Sequence, residues 1–96
     1  MSDVISEAVT RLSAKLAQGF DGVAMFVITG EGSIVIDAQG VRAGEAEADV
    51  TLTASAEVFQ AILEGDLSPT SAFMTGKLAV DGSMGAAMKV GAALSS

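Results

Sequence analysis

The sequence predicts a single α+β domain, with short strands and four helices packed around one core. Three observations predict it. The chain has 96 residues, the length of one domain. Short apolar runs such as Val23–Ile28 and Val50–Ala54 alternate with Gly- and Asp-containing turns, as in a strand meander. Other segments repeat apolar residues at helical spacing between Ser or Asp starts and Gly stops. A chain of this size buries roughly 60–65% of the surface its unfolded form exposes, enough for one core.

Ser2 or Asp3 can cap a first helix, where Val4, Ile5, Ala8, Val9, Leu12 and Leu16 form a stripe opposite Arg11 and Lys15. Gly19 is placed to stop it. The run Val23-Ala24-Met25-Phe26-Val27-Ile28 is apolar at both alternating sets of positions, which predicts a central strand covered on both faces. Thr29-Gly30-Glu31-Gly32 turns the chain, and Ile34 and Ile36 share one face of a second strand. Asp37-Ala38-Gln39-Gly40 turns again into a short third strand marked by Val41 and Ala43. An acidic loop, Glu45 to Asp49, leads to a fourth strand with Val50, Leu52 and Ala54 on one side and Thr51 and Thr53 on the other. Ser55 is the expected cap of a helix with Val58, Phe59, Ile62 and Leu63 on its apolar face and Gly65 as its stop. Ser68-Pro69 opens a short helix that Gly76 closes. Leu78 and Val80 share a face of a fifth strand, Asp81-Gly82 is expected to turn, and Ser83 caps the last helix.

That last helix carries one charge, Lys89, between Met84 and Leu94. Met84, Ala87, Met88 and Gly91 form one stripe, and Ala86, Val90 and Ala93 another. A helix apolar nearly all round must be covered by something. With Ala86 and Ala93 read as its outer face, it could meet a partner, a second copy of the chain or a membrane surface.

Composition excludes several kinds of function. There is no His and no Cys, so Ser-His-Asp and Cys-His nucleophiles and nitrogen–sulfur zinc sites cannot be built. Without Cys there is no disulfide, the start of the chain has no signal-peptide pattern, and no stretch is long enough to span a bilayer. The expected location is the cytoplasm. A net charge of −7 with five scattered basic residues supplies no stripe for nucleic acid and little attraction to anionic membranes. Gly76-Lys77 is not a P-loop, because Ser71 and Leu78 stand where the motif needs Gly and Ser or Thr. Ser83 in Gly82-Ser83-Met84-Gly85 lacks the spacing of a nucleophile elbow and any His to activate it. Glu45, Glu47 and Asp49 could gather weakly around a divalent cation, but a solvated acidic turn is the better reading. Glu57 and Glu64, seven apart on one helix, could pair nearby lysines. No general acid and base stand at a controlled separation, and no cofactor motif is present.

What remains is flexible apolar material, Phe59, Ile62, Leu63, Phe73, Met74, Met84 and Met88, on three short helices of the second half. Read alone, it is core or a ligand pocket with few polar groups. Its context resembles the sterol carrier protein type 2 family. The resemblance rests on Ala48-Asp49-Val50-Thr51-Leu52-Thr53-Ala54-Ser55, then Phe59, Ile62 and Gly65, then Ala72-Phe73-Met74 and Gly76-Lys77-Leu78-Ala79-Val80-Asp81-Gly82. It extends more loosely over the first half, and so covers residues 1–96 as one SCP2-like domain.

The resemblance implies a five-stranded mixed sheet covered by helices on one side, with an apolar cavity between helices and sheet. It also implies a non-enzymatic lipid carrier for a fatty acid, a fatty acyl-coenzyme A, a sterol-like or another apolar ligand. Carried onto this chain, the cavity is lined by Met25, Phe59, Leu63, Phe73, Met74, Leu78, Met84 and Met88. The end, Ala93-Leu94-Ser95-Ser96, lacks the peroxisomal address of many eukaryotic members, which points to a stand-alone bacterial-type form. The rival expectation is a non-catalytic accessory subunit of a lipid- or quinone-metabolising assembly, docked through the last helix as a homodimer or on an enzyme.

Overall fold

A computed structural model describes residues 3–16 and 20–95, with Ser95 by its backbone alone. In chain order the elements are α1 (Asp3–Lys15), β1 (Ala24–Ile28), β2 (Gly32–Asp37), β3 (Gly40–Ala43), β4 (Val50–Ala54), α2 (Ala56–Glu64), α3 (Pro69–Met74), β5 (Leu78–Gly82) and α4 (Met84–Ser95). Ser2 and Gly19, expected to bound the first helix, lie outside the described residues.

The five strands form one mixed sheet in the order β3-β2-β1-β4-β5. β1, β2 and β3 form an antiparallel meander. β1 and β4 run parallel, with Phe26 opposite Leu52, and β5 returns antiparallel to β4. Parallel neighbours need a crossover, and here β2, β3 and the acidic loop supply it.

Strand pleating gives the sheet two unlike faces. Ala24, Phe26 and Ile28 of β1 share one face with Ile34, Ile36, Val50, Leu52, Ala54 and Leu78, and all are buried. This face carries the helices and the core. From α1 it receives Ile5, Ala8 and Leu12, from α2 Phe59, Ile62 and Leu63, and from α4 Val90 and Leu94. The Phe26 and Phe59 rings meet at 4.9 Å between centroids, tilted by 59°, and pin α2 to the central strand.

The opposite face corrects the expectation for β1. Met25 and Val27 are only half-buried there, because no described helix lies over them. Cross-strand neighbours shield them sideways: Met25 sits between Val35 and Thr51, and Val27 between Ser33 and Thr53. An apolar run on a central strand therefore does not require a second helical layer.

The helix starts follow their caps. Ser55 Oγ accepts from the Val58 N–H, Ser68 Oγ from Ser71 and Ser83 Oγ from Ala86. Gly65 ends α2 at a positive φ of 84°, its N–H bonded back into the last turn. Asp81-Gly82 does not turn the chain as expected but completes β5. Gly82 lies so close to β4 that an added Cβ would stand 3.0 Å from the Val50 Cα, at a φ of +110°. That glycine serves close approach of two backbones. Glu64 does not meet a lysine; it approaches Arg11 of α1 at 3.7 Å, and Arg11 also pairs with Glu7 at 2.9 Å.

Candidate functional site: an apolar cleft under α3 and α4

The two ends of the helical layer pack differently. Beside α1 and α2 the space left is about 20 Å³, bordered by Phe59 and Leu63. Under α3 and α4 a cleft of about 510 Å³ opens against the sheet. Its floor is Phe26 of β1, Leu52 of β4 and Leu78 and Val80 of β5. One wall is Ile62 with Pro69, Thr70, Phe73 and Met74, and the other is α4 from Met84 to Leu94.

Side-chain size accounts for the difference. α1 and α2 point Ile, Leu and Phe at the sheet and fill the space beneath them. α4 offers Ala87, Gly91 and Ala92 to the cleft, and these small residues leave it open. The larger residues of α3 and α4 lie at the mouth and face solvent: Phe73 is 42% exposed, Met74 78%, Met84 51% and Met88 73%. Both stripes of α4 find company. Met84, Ala87, Met88 and Gly91 line the cleft, while Val90 is buried and Ala86 and Ala93 pack partly against the core. Ala86 and Ala93 are thus not an outer face, and a charge placed there would act on the fold.

Of the residues the resemblance carried over, Phe73, Met74, Leu78, Met84 and Met88 border this cleft. Met25 does not; it projects from the opposite face of the sheet, one residue out of phase with Phe26. Phe59 and Leu63 do not border it either. They are buried where α2 packs beside α1. The set carried over passed over the floor residues Phe26, Leu52 and Val80, the wall residues Ile62, Pro69 and Thr70, and the α4 residues Ala87, Val90, Gly91, Ala92 and Leu94. The stripe Ala87–Gly91 beside Met84 and Met88 was the signal available for α4.

Among the described residues, Thr70 is the only lining residue with a polar side chain, and none that lines the cleft is titratable. The ionised groups lie elsewhere. Arg42 donates to Asp37 Oδ2 at 2.8 Å across the β2–β3 hairpin, and this hydrogen bond holds the Asp37 carboxyl below the usual range and raises the Arg42 guanidinium. Lys89 of α4 approaches Asp21 at 3.5 Å, both well exposed. Asp49, one of the three alternating acids, acts on the fold instead. Its Oδ2 accepts from the Val23 N–H, and its backbone bonds Val23 and Ser83. Among the described residues no group of acids is arranged to hold a metal ion. No described helix is long and apolar enough to cross a membrane.

The family model described as the SCP-2 sterol transfer family matches residues 5–95. The chain belongs to that family. Its relatives include the peroxisomal multifunctional enzyme A of Dictyostelium discoideum, 48% identical over 63 residues, which are 66% of this chain and 13% of that protein. The hydroxysteroid dehydrogenase-like protein 2 of Xenopus laevis is 35% identical over 94 residues, 90% of this chain and 22% of the relative. The chain thus spans less than a quarter of either relative. Among solved structures, the sterol carrier protein-2 of Aedes aegypti in complex with palmitate superposes with a TM-score of 0.78, at 23% identity over 98% of this chain and 96% of the other. That likeness shows the shared SCP-2 fold, a mixed five-stranded sheet with its helices.

Proposed function

We propose that this chain is a non-catalytic lipid carrier that holds one long aliphatic chain in the cleft under α3 and α4. The observation that carries the reading is the cleft itself: about 510 Å³, apolar, and bordered by no titratable group among the described residues. Pockets of ~300–1,000 Å³ with few polar groups suit small apolar ligands. Binding of palmitate by the Aedes aegypti relative supports the reading.

Magnitudes favour a long chain over a short one. Each buried methylene contributes about 0.8 kcal/mol. Association costs upward of ~4 kcal/mol. A micromolar complex, about 8 kcal/mol, therefore needs on the order of fifteen buried methylenes. At about 30 Å³ for a water-sized group, the cleft has room for about that number. With no charged lining, affinity comes from the chain, and a carboxylate or other head group stays at the mouth in water.

The test is native mass spectrometry of the freshly purified protein, with organic extraction of what co-purifies, on the wild type and Ala87→Trp. Ala87 lines the cleft and is partly exposed, so Trp there fills space without replacing a core residue. The expected result is one long-chain fatty acid or similar lipid per wild-type chain and loss of uptake in Ala87→Trp. An unliganded mass that takes up no added long-chain fatty acid overturns the carrier reading. The apolar rim of α3 and α4 would then be a docking face for an enzyme or a second copy.

A further inference from the structure

The rim of the cleft is unusual in one chemical respect. Met74, Met84 and Met88 stand together around its mouth, and all are among the exposed large apolar residues of the protein. The remaining described methionine, Met25, is half-buried on the far face of the sheet. The chain has no Cys, Trp or Tyr. A peroxide that reaches this protein therefore meets no thiol, and exposed thioether sulfur is the group it attacks.

We propose that Met74, Met84 and Met88 are a peroxide-modified site whose oxidation empties the cleft. The release half of this inference rests on the carrier reading above; the modification half does not. In each step the thioether sulfur attacks one oxygen of hydrogen peroxide. The O–O bond breaks, an S–O bond forms and water leaves. The sulfur is oxidised by two electrons and the peroxide is reduced. The product sulfoxide is polar and a strong hydrogen-bond acceptor, whereas the rim offers few donors. A sulfoxide at the mouth stays hydrated only by facing water, so it no longer packs on an aliphatic chain below. Three such groups on two facing helices turn an apolar rim into a polar one while the buried core is untouched, since none of the three belongs to it.

The experiment treats the full-length protein with graded hydrogen peroxide. Sulfoxide at each methionine is read by peptide mass spectrometry, and affinity by titration with a fluorescent long-chain fatty acid. Circular dichroism checks that the fold survives. The expected order is Met74 and Met88 first, Met84 next and Met25 last. Affinity should fall at least tenfold once the rim is oxidised and return after treatment with methionine sulfoxide reductases and a thiol reductant. Whatever their starting affinity, the variant Met74→Leu/Met84→Leu/Met88→Leu, and the milder Met88→Leu if the triple folds poorly, should lose a smaller fraction of it on oxidation than wild type does. Oxidation of Met25 as fast as the rim overturns the modification site. Unchanged affinity after full rim oxidation overturns the release. Unoxidised protein that takes up no fatty acid overturns the carrier reading and the release with it, and the order of oxidation still decides the site.

Discussion

Replacing both glycines of α4 with alanine, Gly85→Ala/Gly91→Ala, should make the protein more stable and, on the carrier reading, slow the exchange of a lipid held in the cleft. Neither glycine has a φ that excludes alanine. A Cβ on Gly91 would lie 3.7 Å from the Pro69 Cβ, and one on Gly85 would lie 3.7 Å from Ser83 Oγ, both ordinary contacts. Glycine inside a helix costs about 0.8–1.0 kcal/mol relative to alanine. Gly91 is interior and should contribute that amount. Gly85 stands in the first turn of α4 and should contribute less, so the pair should gain about 1–1.5 kcal/mol. In a domain of this size 1 kcal/mol moves the melting temperature by about 4–8 °C, so a rise of roughly 5–10 °C is expected by circular dichroism. If α4 lifts to admit a lipid, the same stabilisation should slow dissociation of a fluorescent fatty acid in a stopped-flow displacement. A melting temperature that stays or falls would refute the packing argument at Gly91. A higher melting temperature with an unchanged dissociation rate would refute a role for α4 as the gate.

The other predictions concern the scaffold. Arg42→Gln removes the main cause of the low Asp37 pKa, so the Asp37 carboxyl should titrate closer to an ordinary aspartate by carbon NMR; an unmoved titration would show that the guanidinium is not the cause. The sign follows from linkage: a lowered native pKa adds stability above the unfolded aspartate value, and that stability disappears as pH falls through the native one. Gly82→Ala should be clearly more destabilising in urea unfolding than Gly40→Ala. Both have positive φ, for a strain of about 1–3 kcal/mol, but only at Gly82 would the methyl run into the Asp49 carbonyl and Val50. Ser55→Ala should cost about 1 kcal/mol by losing the cap on the Val58 N–H, and a loss below a few tenths would deny that cap a role.

The chain's elements were legible in sequence because each carries its own punctuation. Ser55 and Ser83 are local cap signals and Ser68-Pro69 a helix opening, and in the structure each of the three hydroxyls accepts from an N–H of the first turn that follows. Lateral order and phase were less legible, because they depend on partners far along the chain. Met25 and Phe26 are both large and apolar, and nothing local says which faces the helices. The choice is made by the parallel register with β4, where Phe26 aligns with Leu52 and Met25 with Thr51. Gly82 misled for a similar reason. Asp-Gly is a turn signal, but here the glycine answers to the backbone of Val50 across the sheet. Phe59 and Leu63 were apolar on the correct face of α2, yet that face spans both the packed end and the open end of the helical layer. Only Ile62 of this group reaches the cleft.

The size of the cleft also constrains what state the protein can rest in. A sealed, dry cavity costs about 24 cal/mol per Å³, which for about 510 Å³ comes to about 12 kcal/mol. That equals the whole stability of a typical domain, about 5–15 kcal/mol. The space must therefore be open to water or filled by something apolar. The exposed side chains at its mouth make the first possible, and flexible methionines make the second adjustable, since they can repack around chains of different length. The large aliphatic and aromatic side chains of α1 and α2 carry the stability that such an opening requires. Ala and Gly on α4 create the space, and Met on α3 and α4 borders it. One apolar composition is thus divided, by side-chain size, into a packed half that holds the fold and a loose half that is free to bind.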